Sequence, residues 1–258
     1  GMQTTFAAFG KRSLRALTKQ KAIIAILIML IVMLFFKTKF YTSYNLLNVL
    51  KDAAVNEIIA FGVTLTVIAA GCDLSVGGVM CLSGIVSIQL INGGMDMGLA
   101  ILIAILCGAL VGFVNGFLVV QQKTEPFIIT LGTGMLIKGI NQQITDAHPV
   151  SCTNMEFMKI ANGKVGDVIP NLALYMIVIG LLVYALLRYT SYGRNLYALG
   201  GDYDVAKYSG INVVTTKWVA FVLSGTLAAV AGVLLSSKLN TGSSIYGDDT
   251  ALMVNCGV

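Results

Sequence analysis

Charge is what this sequence has least of. Asp, Glu, Lys and Arg together make up 11% of its 258 residues, against roughly 25% in a soluble domain. Histidine and tryptophan occur once each and proline three times. The lone histidine, His148, has no companions of metal-ligand or nucleophilic-triad type, since such sites need several convergent donors. Metal catalysis, hydrolysis and electron transfer therefore have no visible apparatus, and no cofactor is expected. The cysteines (Cys72, Cys81, Cys107, Cys152, Cys256) are an odd, scattered set with neither metal spacing nor a disulfide framework. They are expected to pack as small hydrophobes.

What the chain does have is apolar length. It is 57% hydrophobic, with a mean hydropathy of +0.84 and 28 glycines. This reads as an all-α, polytopic transmembrane bundle, in which small residues let helices approach closely. Apolar runs predict spans near 22–40, 46–70, 74–91, 98–120, 126–144, 171–187 and 218–236, with an eighth beginning near Thr250. An eighth span cut at Val258 leads us to expect a fragment or a shortened product. Gly1 ahead of Met2 reads as an added residue, and no small-residue cleavage site closes the first run.

The net charge of +5 does not point to nucleic acid. Lys11, Arg12, Arg15, Lys19 and Lys21 cluster just before the first apolar run, which reads as topology under the positive-inside rule. The expected organisation is a cytoplasmic basic N-terminus, 1–21, and a membrane domain, 22–258. Parity then places Lys123, Arg188, Arg194, Lys207 and Lys217 inside. Lys37, Lys39, Lys51, Lys159, Lys164 and Lys238 fall outside. The polar segment 145–171 faces outward and 188–217 faces inward.

Within 188–217, Asp202 to Ser209 is helix-compatible, with Asp202 and Asp204 suited to the dipole of its first turn and Gly210 placed to stop it. Small residues on this short helix would let it enter a groove on a partner protein. From Ile58 to Ile91 the only charge is Asp73. It either faces a helix break or a solute path at membrane depth, or lies in a surface loop and caps the next helix. Gly108, Gly112 and Gly116 form one helix face for close packing, with Asn115 beside it. Ser224, Ala228 and Gly232 repeat the pattern. Lys138, in Thr133-Gly-Met-Leu-Ile-Lys-Gly139, lacks the spacing of a phosphate loop. It is expected to snorkel or pair inside the bundle.

Three ordered stretches resemble the permease subunits of ribose-type ABC importers. Ala69 to Gly84 is similar to that family's Gly-Gly-x-Asp-Leu-Ser-Val-Gly segment. Glu125-Pro-Phe-Ile-Ile-Thr-Leu-Gly132 is similar to its Pro-Phe-Ile-Val-Thr-Leu-Gly element. Thr190 to Asp202 with Ser209-Gly-Ile-Asn-Val213 resembles its Gly-Arg…Gly-Gly-Asn…Ser-Gly-Ile loop, and Leu223 to Gly232 also fits. Ala70 and Cys72 stand where glycine and isoleucine are usual, Asp202 where asparagine is common, and Asn255-Cys256 where an alanine-rich run is usual. Family members continue beyond the equivalent of Val258.

The resemblance implies a type II ABC importer-like permease in a bacterial inner membrane, multi-pass, with its N-terminus in the cytoplasm. It implies a second permease subunit, cytoplasmic ATP-binding subunits and an extracytoplasmic sugar-binding protein as partners. The chain itself would not hydrolyse ATP. Asp202, Asp204, Val205, Ala206, Ser209, Gly210 and Ile211 would form the coupling helix. Asp73, Ser75 and Asn115 are the path candidates, and Gly108, Gly112, Gly116, Ala228 and Gly232 the packing residues. Two alternatives stay open: an ion- or proton-coupled secondary transporter using Asp73 and Lys138, and a non-transporting membrane scaffold.

Overall fold

A computed structural model describes residues 24–25, 28–29, 31–33, 41–122, 124–166, 169–248 and 250–257. The expected basic N-terminus, most of the first span (including Lys37 and Lys39) and Lys123 lie outside the described residues. The chain forms two compact units, 1–49 and 50–258. The first contributes helical pieces at 24–25, 28–29 and 31–33 and the opening of helix α1. All that follows concerns the second.

Each expected span from residue 46 onward falls on a helix. These are α1 (Ser43–Ile68), α2 (Val76–Asn92), α3 (Met97–Gln121) and α4 (Pro126–Ile144). After the short strand β1 (Val150–Ser151) come α5 (Met155–Asn162) and the strand pair β2 (Lys164–Val165) and β3 (Ile169–Pro170). Then follow α6 (Asn171–Tyr189), α7 (Ser191–Gly201), α8 (Tyr203–Tyr208), α9 (Val213–Leu239), β4 (Thr241–Gly242) and α10 (Thr250–Gly257). By length and composition α3, α6 and α9 can cross a membrane, and α2 is a shorter apolar helix.

Polar side chains set the helix starts. Asp96 accepts the Leu99 amide at the head of α3 (3.1 Å), and Asn154 that of Glu156 at α5 (3.0 Å). Thr190 accepts from Gly193 at α7 (3.2 Å), and Asn212 from Thr215 at α9 (3.0 Å). Each satisfies an amide that no earlier turn can reach. Pro126 opens α4 at a position where its missing N–H costs nothing. Asn212 explains why α9 begins before residue 218: the cap draws Val213 to Lys217 into the helix.

α9 is the central rod, buried on most of its circumference. A Cβ on Gly112 would overlap the Phe221 carbonyl oxygen, and one on Gly116 would overlap the Trp218 ring. A Cβ on Gly108 would lie 2.6 Å from the Gly225 carbonyl oxygen. The expected glycine face of α3 thus lies backbone to backbone on α9. The row on α9 turns toward the break and α2 rather than toward α3. Gly225 meets α3, Ala228 is fully buried in the core, and Gly232 sits against Met80 and Ser83 of α2. Ser224 turns toward Asp73. At one end of the groove Trp218 donates its indole N–H to the Phe113 carbonyl (2.9 Å).

Polar contacts sort the loops onto two ends of the bundle. At one end Asn92 bonds the Ser151 carbonyl and the Thr153 amide, and Asn162 bonds the Lys238 carbonyl. There β1 pairs with β4, and Lys238 pairs with Asp52. At the other end Lys217 reaches the Ala70 carbonyl (3.3 Å), and Gly200 abuts the Ile68 backbone. The segments expected outside (145–171 and Lys238) share one end, and the 188–217 segment occupies the other.

Candidate functional site: a buried carboxylate and an open ion pair

Between α1 and α2 the chain breaks for residues 69–75. Ala70 takes a left-handed φ of 50°, a conformation that L-residues with a Cβ rarely hold. The break carries Asp73, which is fully buried. Its Oδ1 accepts from the Ser75 amide (3.0 Å) and the Ser75 hydroxyl (2.7 Å). Its Oδ2 accepts from the Ser224 hydroxyl on α9 (2.7 Å). Asn115 on α3 donates to the Ser75 hydroxyl (2.9 Å), while its own Oδ1 is buried without a partner.

The backbone of the break is held as well. Thr130 on α4 accepts the Leu74 amide (3.1 Å) and lies within reach of the Cys72 carbonyl (3.1 Å). Asn255 on α10 donates to the Asp73 carbonyl (3.0 Å). One carboxylate with three donors thus ties the break to α9 directly and to α3 through Ser75. Hydroxyl and amide donors, rather than a cation, satisfy its oxygens, as a buried polar group requires.

The three path candidates, Asp73, Ser75 and Asn115, are therefore brought together, but in a sealed cluster. Asp73 caps in part, through the Ser75 amide, yet it sits deep against Ser224 rather than in a surface loop. Sequence reasoning missed Ser224, Thr130 and Asn255 as its partners. Ser224 had been noticed only as a small residue.

Lys138 does not approach Asp73. Its ammonium pairs with Asp248 at 2.6 Å, the two side chains being 44% and 38% exposed. The pair stands on the wall of a cavity of about 210 Å³ bordered by Leu74, Gly77, Gly78, Gly134, Met135 and Gly247. The Asp73–Lys138 coupling pair of the secondary-transporter reading is thereby corrected: the geometry gives Lys138 a different carboxylate, from a loop that the span pattern passed over. The expectation that Lys138 pairs within the bundle holds. Among the described residues no group of three or more His, Cys, Asp or Glu could hold a metal ion.

The expected coupling helix is α8. Asp202 accepts the amides of Asp204 (2.9 Å) and Val205 (3.0 Å), a closed N-cap. Beyond the C-terminus Gly210 takes φ +83°, its amide bonding the Lys207 carbonyl and the Ile211 amide bonding that of Ala206. The face it shows differs from expectation. Ala206 points inward, packed with Leu65, Ala69, Leu196, Leu199, Val213 and Ala220. Tyr203, Val205 and Tyr208 are exposed, Tyr208 to 86%. The small residue is the anchor and the large ones form the outer face, because a six-residue helix needs a buried contact to stay seated. Asp204, Ser209 and Gly210 are also exposed, and Ile211 is half-buried. Tyr192 on α7 fastens the same end, its hydroxyl donating to the Thr216 carbonyl (3.2 Å), and burial pushes its phenol above the ordinary tyrosine range.

A helical bundle with membrane-length apolar rods, a buried carboxylate at a helix break and a capped helix exposed at one end defines an integral membrane permease. Residues 45–255 match the family described as "Branched-chain amino acid transport system / permease component", and the chain belongs to that family. It is 34% identical over 237 residues to the ribose import permease protein of Haemophilus influenzae, covering 90% of this chain and 73% of that one. The ribose import permease protein of Bacillus subtilis is 34% identical over 89% of this chain and 71% of its own length. The galactose/methyl galactoside import permease protein of Salmonella typhimurium is 30% identical, covering 93% and 77%. No solved structure matches.

Proposed function

We propose that this chain is the membrane-spanning subunit of an ATP-driven importer of a monosaccharide, ribose- or galactose-like, in a bacterial plasma membrane. Its relatives are named for sugars, which favours a polyol over the amino acids of the family's description. In this reading seven helices cross the bilayer, an eighth begins at Thr250, and the N-terminus and α8 face the cytoplasm. A second permease, two ATP-binding subunits and an external sugar-binding protein complete the assembly.

The observation that carries the mechanism is the seating of α8. Ala206 is packed against α7 and α9 and belongs to one buried cluster with Leu65 of α1 and Ala69 of the break, so a push on the exposed Tyr203–Val205–Tyr208 face bears on that cluster as a unit. α9 carries Ser224 and hence Asp73; the break moves with it. Asp73, Ser75 and Asn115 then bear on the path by fixing this break rather than by touching solute. Nucleotide drives the switch only insofar as the ATPase pair binds one bundle state more tightly than the other.

Val205→Arg tests it. An exposed substitution changes stability by no more than about 0.5 kcal/mol, so the melting temperature in detergent should hold. Co-purification with the ATP-binding subunit and uptake of labelled ribose should both be lost. Undiminished co-purification would remove the coupling role from α8.

A further inference from the structure

We propose that the cavity beside Lys138 and Asp248 is a solute subsite on the import path, built for a neutral polyol; this rests on the reading of the chain as a sugar permease. The first argument is exposure. Lys138 lies six residues before Ile144, about 9 Å from the nearer end of α4 at 1.5 Å per residue. An ion pair on a helix read as crossing the bilayer is costly to leave against lipid and is best placed toward a water-filled space or protein. This pair is half-open, and the space it opens on is the cavity.

The second argument is the chemistry of the walls. Sugar hydroxyls both give and take hydrogen bonds, and both kinds of partner are here. Asp248 accepts and Lys138 donates. The first turn of α2 also borders the cavity. Leu74, Leu131 and Met135 supply the apolar remainder.

The third argument is how the space is made. Gly77, Gly78, Gly134 and Gly247 bring three backbones together, and a Cβ on Gly77 or Gly247 would overlap the other's carbonyl oxygen. The loop after β4 is thereby held against the start of α2. Irregular backbone at membrane depth persists only where protein buries it or where it lines a cavity. The volume, about 210 Å³, is roughly seven times the ~30 Å³ share of one water, room for a single small polyol. Contacts this few suit a site that has to release its cargo.

The test has two parts, both in the assembled importer. Met135→Cys lies on the cavity wall, and Leu136→Cys lies on the same helix outside it; both parent residues are exposed. A hydrophilic, membrane-impermeant thiol reagent should label Met135→Cys about tenfold faster than Leu136→Cys, because the thiolate forms only in water. The unsubstituted protein serves as the blank. D-Ribose should slow that labelling, and L-leucine should not. In the second part Lys138→Met is combined with Asp248→Leu, which removes both charges without stranding either. Melting temperature and co-purification with the ATP-binding subunit should hold while ribose uptake falls about tenfold, the cost of one lost charged hydrogen bond.

Equal labelling at the two positions, protection by L-leucine alone, or wild-type uptake by the double variant would each overturn the subsite. Should the unsubstituted protein take up neither ribose nor galactose, the importer reading falls, and the labelling pattern still decides whether the cavity is watered and what occupies it.

Discussion

Asp73 shows what a single residue can and cannot announce. As the one charge between Ile58 and Ile91 it was conspicuous in the sequence, and the structure makes it the centre of a buried cluster. Its partner on α9, Ser224, lies 151 residues away. No local pattern links them, so the carboxylate was legible and its function as a tie was not. Ser224→Ala should cost about 1–3 kcal/mol, the cost of leaving a buried acceptor without its donor. The loss should appear as a lower melting temperature in detergent. Ala70 makes the complementary case. It stands where the resembling family uses glycine, and it holds a left-handed φ. Ala70→Gly should therefore stabilise the protein by about 1 kcal/mol by relieving that strain.

Helices follow the same division. The four-residue glycine spacing on α3 revealed a close-packing face, and that face does lie on a neighbouring helix. Which residues it meets depended on the rotation of α9, which sequence spacing leaves free: Gly225 serves instead of Ser224. Gly112→Ala should displace α3 from α9 and cost about 1–3 kcal/mol, as overpacking does. Gly132→Ala on α4 meets nothing within 4 Å of its new Cβ and should gain about 1 kcal/mol from helix propensity. Thermal melts of the two side by side would check the contrast. On α8 the period of the short helix was readable, including its cap and its stop. Its inward face was not, because six residues hold too few turns for amphipathicity to show. Ala206→Leu should lower the melting temperature, where Val205→Arg does not.

Taken as an assembly of loops and rods, the chain has two chemically distinct ends. Hydropathy located the rods because burial in lipid demands long apolar runs. It passed over α5 and α7, whose polar composition hides short helices that only their Asn154 and Thr190 caps betray. It also passed over the segment 243–248 with Asp248, since nothing in a polar loop's composition says that it folds back onto α2. The arrangement makes a definite expectation for topology. A cysteine at Tyr208 should react with an impermeant reagent only after the membrane is opened, and one at Glu156 should react in intact spheroplasts. The reverse pattern would invert the bundle and remove α8 from the ATPase.

The contact of Gly77 with Gly247 has a consequence for observing the protein at work. Two bare stretches of main chain shield each other there, with no side chain between them. The peptides spanning those glycines should then take up deuterium faster during turnover than at rest as the loop parts from the helix, a readout that needs neither a fluorophore nor an added probe.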